Sequence, residues 1–457
     1  MGLKTSFHLK WILSLLAAAS VVSGPASAAA SWAAGSRVPA QIEGASRTDR
    51  ELASFYAARA FQPLWSVHDH LRPGAFIALE LLRTADLDGL DPAKYLQTGI
   101  ERAVAEAARG DQRSVGRAEL LLSRTFGQYV RDVRRPRNVG AVYTEPGLGP
   151  AQPPVRAVLQ ALASAPSLET YLRNISWMHP IYGQLRSRLA TLDSDPGQSA
   201  SGEALLLRAN MDRASILPAH QDQYILVDTA AARLDYFDAG ELRKTMRVIV
   251  GSPDHPTPMM VGMIRYATLN PYWHVPPDLT RERIAPRVLS EGLKYFRGRG
   301  YEVVSEWSPS ARVIDPSTID WKAVAAGRIE IFVRQKPGPQ NGMGKIKLRF
   351  PNDLGIYLHD TPAKELFVHS QRNYSGGCVR LDDAPALGTL LLGRSPVPQT
   401  DKPEQTISLT HPIPLYITYL TLRPEADGKL VRRRDVYGRD QASLAAAQDQ
   451  SSKSRMR

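Results

Sequence analysis

Residues 356–384 read IYLHDTPAKELFVHSQRNYSGGCVRLDDA and contain Cys378, the single cysteine of the chain. Cys378 directly follows Ser375-Gly376-Gly377. Because glycine has no Cβ, two consecutive glycines let the backbone turn tightly and approach a ligand closely. The stretch therefore predicts a cysteine displayed on a tight turn.

The residues around Cys378 suit nucleophilic chemistry. We expect the N–H groups of Gly377 and Cys378 to point at one spot, as an oxyanion hole requires. Arg380 adds a positive charge that would favour the thiolate. His359 ends a strand-like run upstream and could return beside the sulfur as a general base. A thiol with a neighbouring imidazole is the minimum for acyl transfer.

Two other interpretations of Cys378 stay open at this point. A buried free cysteine can be an inert small hydrophobe, although a Gly-Gly pair and an arginine are unusual neighbours for a core residue. His359, Asp360, His369 and Cys378 are all competent metal ligands, but their spacing fits no standard zinc pattern. His369 alone reads as a surface or structural histidine.

The composition excludes several classes of protein. The chain has 457 residues with 57 Lys+Arg against 45 Asp+Glu, a formal net charge of +12. One cysteine excludes an internal disulfide framework and cysteine-rich zinc modules. Past the first thirty residues no apolar run is long enough for a multi-span membrane protein. The chain is predicted to be globular, with two or three folded units.

The first 28 residues predict a secretory signal peptide. Lys4 and Lys10 precede an apolar stretch at 11–22, and Ala26-Ser27-Ala28 fits a cleavage site. An uncleaved N-terminal anchor is the alternative; after cleavage we expect no transmembrane segment. An exported basic protein suits anionic partners such as cell-wall carboxylates or lipid headgroups, whereas nucleic acid is not expected as a partner.

The hydrophobic period changes along the chain and predicts an α+β fold. Residues 40–215 have helical spacing, for example in the stripe of 117–133, and are read as a helical scaffold domain. The Ser/Gly/Asp/Pro-rich stretch 193–202 is a linker candidate. Residues 222–424 show strand patterns, among them 329–333, 346–350 and 356–358, and a helix at 383–393. A mixed, partly helical segment at 279–326 interrupts them. Residues 425–457 form a basic tail whose end, from Gln441, is predicted to be disordered.

IYLHDTP followed by SGGCVR resembles the catalytic signature of the L,D-transpeptidases, the YkuD-type domain. The blocks MRVIVGSPDHPTP, NPYWHVPP, RQKPGPQNGMGKIKLRFPND and VYGRD resemble more specifically the long, scaffolded YcbB-like branch. The resemblance covers nearly the whole mature chain. It implies a helical scaffold followed by a β-rich catalytic domain, in which 279–326 caps the groove and excludes water. It also implies a periplasmic location in a Gram-negative-type envelope.

The resemblance implies a reaction on peptidoglycan stem peptides. Cys378 would attack the bond between the L-centre of diaminopimelate and a terminal D-alanine, and His359 would take the thiol proton. The backbone carbonyl of Asp360 would orient the imidazole. The side-chain amine of a second diaminopimelate would resolve the thioester and form a cross-link. No metal or other cofactor is required, relatives are acylated by carbapenems, and other wall-synthesis proteins are candidate partners.

The remaining candidate residues have less defined roles. Tyr357 is expected to point away from the face that carries His359, Ser375 to shape the turn, and Arg380 to bind a peptide carboxylate. In the resemblance, Tyr272 and Trp273 line the substrate groove; core packing is the alternative.

The chain departs from the resembled family at two places. The commonest family pattern has histidine where this chain has Gly376, and we expect activity to survive. A separate peptidoglycan-binding module, frequent in this branch, has no room beside the 193–202 linker. Contact with the wall would then come from the groove, the scaffold and the basic surface.

Three alternatives to cross-linking stay open. Water could resolve the thioester, which would make the protein an L,D-carboxypeptidase. A protein lysine could resolve it, which would anchor that protein to the wall. A non-catalytic wall-binding scaffold is the third alternative, although an intact His359 and Cys378 argue against it.

Overall fold

The computed structural model describes residues 38–47, 49–193, 201–398, 400–425 and 427–441. The predicted signal peptide, most of the 193–202 linker and the end of the C-terminal tail lie outside the described residues. Within the described ranges, no helix combines the length and apolarity needed to cross a bilayer.

The helices fall into an N-terminal group and a few short later ones. In chain order they are α1 (Val38–Ser46), α2 (Arg50–Ala57), α3 (Pro73–Arg83), α4 (Ala93–Leu96), α5 (Ile100–Ala107), α6 (Gln112–Val133), α7 (Val155–Ser164), α8 (Leu168–Arg173), α9 (Pro180–Asp193), α10 (Gly202–Ala214), α11 (Pro277–Leu279), α12 (Ala285–Glu291), α13 (Leu293–Gly298), α14 (Trp321–Ala325) and α15 (Ala384–Leu392). Short 3₁₀ turns lie at Ala85–Asp88, Pro316–Thr318 and Lys364–Val368, and a π turn at Thr280–Ile284.

Most strands lie in the C-terminal half. They are β1 (Ser66–Val67), β2 (His70–Leu71), β3 (Val142–Tyr143), β4 (Tyr224–Asp228), β5 (Arg233–Asp238), β6 (Glu241–Gly251), β7 (Met260–Leu269), β8 (Trp273–Val275), β9 (Tyr301–Val304), β10 (Val313–Ile314), β11 (Phe332–Gln335), β12 (Ile346–Arg349), β13 (Leu358–His359), β14 (Asn373–Ser375), β15 (Val379–Leu381), β16 (Gln405–Thr418), β17 (Leu422–Pro424) and β18 (Leu430–Arg432).

The main sheet closes on itself. The strand order is β12-β13-β15-β6-β5-β4-β16-β7, and β7 pairs back with β12. Because side chains alternate between the two faces of a strand, one set fills the inside of the closed sheet, for example Leu348, Leu358 and Val379. The other set faces outward, where it either packs on helices or lines the candidate site.

The scaffold helices pack on one outer side of the closed sheet. Outward side chains of β4, β7 and β16, such as Leu226, Val261 and Tyr416, join the same hydrophobic cluster as the helices. The loop after α6 also adds β3 to the sheet, in parallel with Met260–Val261 of β7. The scaffold and the catalytic sheet therefore share one core.

The other outer side is covered by a small unit that we call the cap, residues 273–335. Strands β8, β9, β10 and β11 form its four-stranded sheet, and a separate cluster around Phe296, Trp321 and Val333 forms its core. The segment predicted at 279–326 is only part of this unit, because β8 and β11 on either side complete its sheet.

The predicted α+β fold, helical first and β-rich afterwards, is confirmed. The helix predicted at 383–393 is also confirmed, as α15. Two strand predictions were misplaced: 329–333 begins only at Phe332, and 356–358 lies at Leu358–His359. Both shifts arise because pairing with neighbouring strands, rather than local propensity, sets the ends of short strands.

A buried carboxylate joins three scaffold elements. The Asp88 side chain is fully buried and accepts hydrogen bonds from Arg186 Nε at 2.9 Å, Tyr129 Oη at 2.7 Å and Tyr182 Oη at 2.9 Å. A buried charge is tolerated only when it is paired and hydrogen-bonded. This network therefore fixes the turn after α3 against α6 and α9.

We expect Arg186→Met to lower the free energy of unfolding by about 3–5 kcal/mol, because it leaves the Asp88 carboxylate buried without its cation. Urea unfolding monitored by circular dichroism measures this change. The control is Arg188→Met, which breaks the exposed pair with Glu203 and should cost less than about 1 kcal/mol. Equal losses in the two variants would contradict the argument.

Candidate active site

Parallel pairing of β13 with β15 brings the two predicted catalytic residues together. Leu358 pairs with Val379 and His359 with Arg380, and the Val379 N–H donates to the Tyr357 carbonyl at 2.9 Å. Leu358 and Val379 point into the closed sheet. By alternation His359, Arg380 and Cys378 face outward together.

The turn before Cys378 is held by hydrogen bonds. The Ser375 hydroxyl is buried, donates to the Cys378 carbonyl at 2.6 Å and accepts from the Gly377 N–H at 3.1 Å. Thr257 Oγ1 donates to the Gly377 carbonyl at 2.7 Å. Gly377 has φ +114°, a conformation that other residues rarely adopt. Ser375 therefore shapes the turn.

The expected oxyanion hole needs a correction. Because the Gly377 N–H is engaged by Ser375, it is not available to a substrate in this arrangement. The Cys378 N–H, in contrast, makes no hydrogen bond within the described residues. Of the expected pair, only the Cys378 N–H is therefore available in the described part of the chain.

Gly376 packs against the cap. A Cβ at this position would lie 2.8 Å from Leu279 Cδ1, whereas its φ is one that any residue can adopt. Contacts this short do not occur between carbon atoms in packed proteins. A larger residue such as histidine at this position would therefore require the Leu279 side chain of the cap to move.

His359 is held as a neutral base. Its Nδ1 lies 2.5 Å from the Asp360 carbonyl oxygen. A carbonyl can only accept, so Nδ1 carries the proton and Nε2 keeps its lone pair. Burial, followed by the positive charge of Arg380, lowers the pKa of His359 to about 3. The imidazole is therefore uncharged at neutral pH.

Cys378 rests as a thiol. Its S–H donates to the Gly355 carbonyl at 3.4 Å. Burial raises the pKa of Cys378 above the ordinary value of 9.0, against the opposing effects of the Tyr357 N–H, Arg380 and Lys347. Arg380 favours the thiolate as expected, but burial outweighs it. The site therefore pairs a neutral thiol with a neutral imidazole.

The Asp360 carboxylate is engaged away from the imidazole. It accepts from the Lys364 ammonium at 2.8 Å and from the Lys345 N–H at 2.9 Å. Its oxygens also lie close to Gly344, which has φ +63°. Only the backbone carbonyl of Asp360 contacts His359, so the carboxylate supports the loop.

Tyr357 lies on the face that carries His359, so the expectation that it points away is wrong. The two residues are two positions apart, and alternation gives them the same side. Burial and the neighbouring Cys378 raise the pKa of Tyr357. Lys347, paired with His359 across β12 and β13, places Nζ 5.1 Å from the Tyr357 ring centroid.

Sequence reasoning missed Lys347. The residue is 5% exposed, with Nζ 3.7 Å from Glu404, and its charge lowers the pKa of Cys378. A signal was present, because Lys347 and Arg349 alternate with apolar Ile346, Leu348 and Phe350 in one predicted strand. A cation on the outward face of a strand next to the active site could have been noted.

A cavity of about 410 Å³ lies between the cap and the closed sheet. From the sheet Cys378, His359 and Arg380 line it, and from the cap Trp273 and Leu279 do so. The nucleophile and base thus share a partly open cavity large enough for part of a peptide.

The remaining predicted residues divide between the cavity and its surroundings. Trp273 lines the cavity, whereas Tyr272 is not among the lining residues and stacks under Arg334, 4.5 Å from the ring centroid. Tyr272 directly precedes β8, and neighbouring residues of an extended chain face opposite sides. His369 contacts Tyr374, 6.0 Å between ring centroids, and does not line the cavity either. Within the described ranges, no cluster of three or more His, Cys, Asp or Glu residues could hold a metal ion.

Comparison with known families agrees with this geometry. Residues 222–398 match the L,D-transpeptidase catalytic domain of the YkuD type, and residues 50–189 match the Scaffold domain. The chain therefore carries a YkuD-type L,D-transpeptidase catalytic domain behind an N-terminal scaffold domain. Residues 190–221 lie between the two matches and contain α10.

One curated protein and two solved structures are similar to parts of the chain. A Haemophilus influenzae protein, named provisionally as an L,D-transpeptidase, is 27% identical over 410 residues, covering 86% of this chain and 79% of the relative. An L,D-transpeptidase from Mycobacterium smegmatis aligns with TM-score 0.21 and 15% identity, over 43% of this chain and 58% of that one. The Ldtfm–avibactam carbamoyl enzyme aligns with TM-score 0.22 and 12% identity, over 65% and 80%.

We expect the rate constant for alkylation of Cys378 by iodoacetamide to keep rising with pH through pH 9.0, because burial raises the thiol pKa above that value. The folded protein should react more slowly than the urea-unfolded protein at the same pH, since less of its thiol is ionised. Mass spectrometry of the modified protein measures both rates. A rate that levels off by about pH 7 would indicate a thiolate–imidazolium pair instead.

We expect Gly376→Val to destabilise the protein by about 1–3 kcal/mol, because the new side chain overlaps Leu279. Adding Leu279→Ala should recover part of that loss in a double-mutant cycle. Gly298→Val is the control, since open space surrounds a Cβ there. Strict additivity of Gly376→Val and Leu279→Ala would refute the contact between the turn and the cap.

Proposed function

We propose that the protein is a cysteine-dependent L,D-transpeptidase that cross-links peptidoglycan stem peptides. The observation that carries the proposal is the shared cavity of Cys378 and His359, with His359 Nδ1 bound to the Asp360 carbonyl and Nε2 left as a base. The catalytic-domain family supports the reaction class. The stem-peptide substrate is the one that the sequence resemblance implies.

In the first half-reaction, His359 Nε2 accepts the Cys378 thiol proton as the sulfur attacks the acyl carbon at the L-centre of diaminopimelate. The Cys378 N–H lies at the attacking residue and is suited to stabilise the developing oxyanion. The C–N bond to D-alanine then breaks, and the imidazolium donates its proton to the leaving amine. D-alanine departs, and the acyl group remains on sulfur as a thioester.

In the second half-reaction, the side-chain amine of another diaminopimelate attacks the thioester carbonyl and gives a proton to His359. The C–S bond breaks, and the imidazolium returns the proton to the sulfur. A new amide joins the two stems, and the resting thiol is restored. No redox change occurs, and the thioester carries the energy of the first peptide bond.

The neutral resting pair suits this reaction. A neutral imidazole can accept a proton, and the raised pKa of the half-buried Cys378 thiol keeps it protonated until the proton is transferred. Lys347 and Arg380 both favour the thiolate, so they support the charge that develops as the proton moves. We place the protein in the periplasm, where its substrate lies.

The proposal is tested by incubating the purified protein with disaccharide-tetrapeptide muropeptides and identifying the products by mass spectrometry. Dimers joined through diaminopimelate support cross-linking. Tripeptide monomers alone would make the protein a carboxypeptidase, and transfer to an added lysine-containing protein would make it an anchoring enzyme. If none of these products forms, the protein would be a non-catalytic wall-binding scaffold.

We expect His359→Gln and Cys378→Ser to abolish product formation, because one removes the base and the other the thiol nucleophile. His369→Gln is the matched histidine control, since that side chain is exposed and does not line the cavity. Acylation by a carbapenem, seen as a mass increase at Cys378, reports the first half-reaction separately. Activity that survives in Cys378→Ser would overturn the mechanism.

A further inference from the structure

Three arginines from two separate parts of the chain line the cavity at Cys378. Arg380 comes from β15, next to the nucleophile, whereas Arg283 and Arg299 come from the cap. The two cap arginines are exposed. One carboxylate, that of Asp278, also lines the cavity, and it lies 3.8 Å from His255 Nδ1.

Arg283 and Arg299 lack the ion-pair partners that four other cap arginines have. Four cap arginines form ion pairs: Arg281 with Glu282, Arg287 with Glu291, Arg297 with Asp315, and Arg334 with Glu302. In the described part of the chain, neither Arg283 nor Arg299 has a carboxylate within 4.0 Å. The Nε of Arg380 is buried without a hydrogen-bond partner.

The positive charges of these arginines oppose one another across the cavity. Like charges that face each other repel, and Arg283 acts together with burial to lower the pKa of Arg380. The cap holds the guanidinium groups of Arg283 and Arg299 on the side of the cavity opposite Arg380, since Leu279 packs against the nucleophile turn. A bound anion would relieve both the repulsion and the missing hydrogen bonds, and guanidinium groups match carboxylates in a bidentate geometry.

We infer that Arg283 and Arg299 form a receptor for a free carboxylate of the stem peptide and thereby select stems whose diaminopimelate is not amidated. This inference rests on the proposed function. Diaminopimelate carries a second carboxylate beside its side-chain amine, and a carboxamide there would lose the negative charge. The apolar part of the same cavity, around Trp273, Leu279 and Met343, suits the methylene chain that links the two centres.

The test compares two tetrapeptide muropeptides that differ only in this carboxylate, one free and one converted to the carboxamide. For the wild-type protein we expect kcat/KM for D-alanine release to favour the free acid by roughly 10- to 100-fold, the value of one hydrogen bond to a charged group. In Arg283→Gln/Arg299→Gln the preference should fall towards unity, mainly through slower use of the free acid.

The matched control is Arg287→Gln, which removes the same charge from the cap at a residue that pairs with Glu291 and does not line the cavity. It should keep the preference of the wild-type protein. Binding is measured separately by calorimetry on Cys378→Ala, where the free acid should bind more tightly than the carboxamide. That difference should shrink when the two cap arginines are also replaced.

The outcomes separate the two proposals. If the wild-type protein uses both stems equally, or the double variant keeps the preference, the receptor is refuted while the transpeptidase remains. If the wild-type protein releases D-alanine from neither stem, the proposed function fails and the receptor with it. A preference that Arg287→Gln also abolishes would assign the effect to overall charge and overturn the local receptor.

Discussion

The pairing of β13 with β15 is the interaction on which the active site depends. It fixes His359 opposite Arg380, two residues beyond the nucleophile, and it attaches the nucleophile turn to the closed sheet. A shift of the register by one residue would turn His359 into the apolar interior and Leu358 out into the cavity. The burial of Leu358 and Val379 inside the sheet opposes such a shift, so the hydrophobic interior sets the geometry of the polar face.

The cap determines the environment in which this pair works. Leu279 contacts the turn at Gly376, where an added Cβ would lie 2.8 Å from Leu279 Cδ1, and the cap forms the other wall of the cavity. Covering the site removes water, which raises the thiol pKa and lowers the imidazole pKa together. The neutral state of both groups is thus a consequence of the fold around them, and the nearby cations lower the cost of separating charge during the reaction.

Much of the fold and the core of the site could be predicted from local patterns. Helical spacing in 117–133 and the strand patterns after 222 gave the α+β division, and one cysteine beside two glycines marked the nucleophile turn. Prediction failed where contacts between distant parts of the chain determine the local structure. The end of β13 is set by its pairing with β12 and β15, and the Gly377 N–H is engaged by Ser375. Arg283 and Arg299 line the cavity of Cys378 only because the cap folds over it. The expectation for Tyr357 failed differently, since simple alternation already places it beside His359.

The sequence by itself determined the chemical groups: a single thiol, an imidazole at the end of a strand, and a turn flexible enough to display the sulfur. These follow from residue identity and short-range backbone preferences, which act over a few positions. Only the tertiary structure decided the protonation states, the single available backbone donor and the charge of the cavity wall. Those properties depend on desolvation and on side chains brought in by distant segments, and neither can be read from neighbours in the chain.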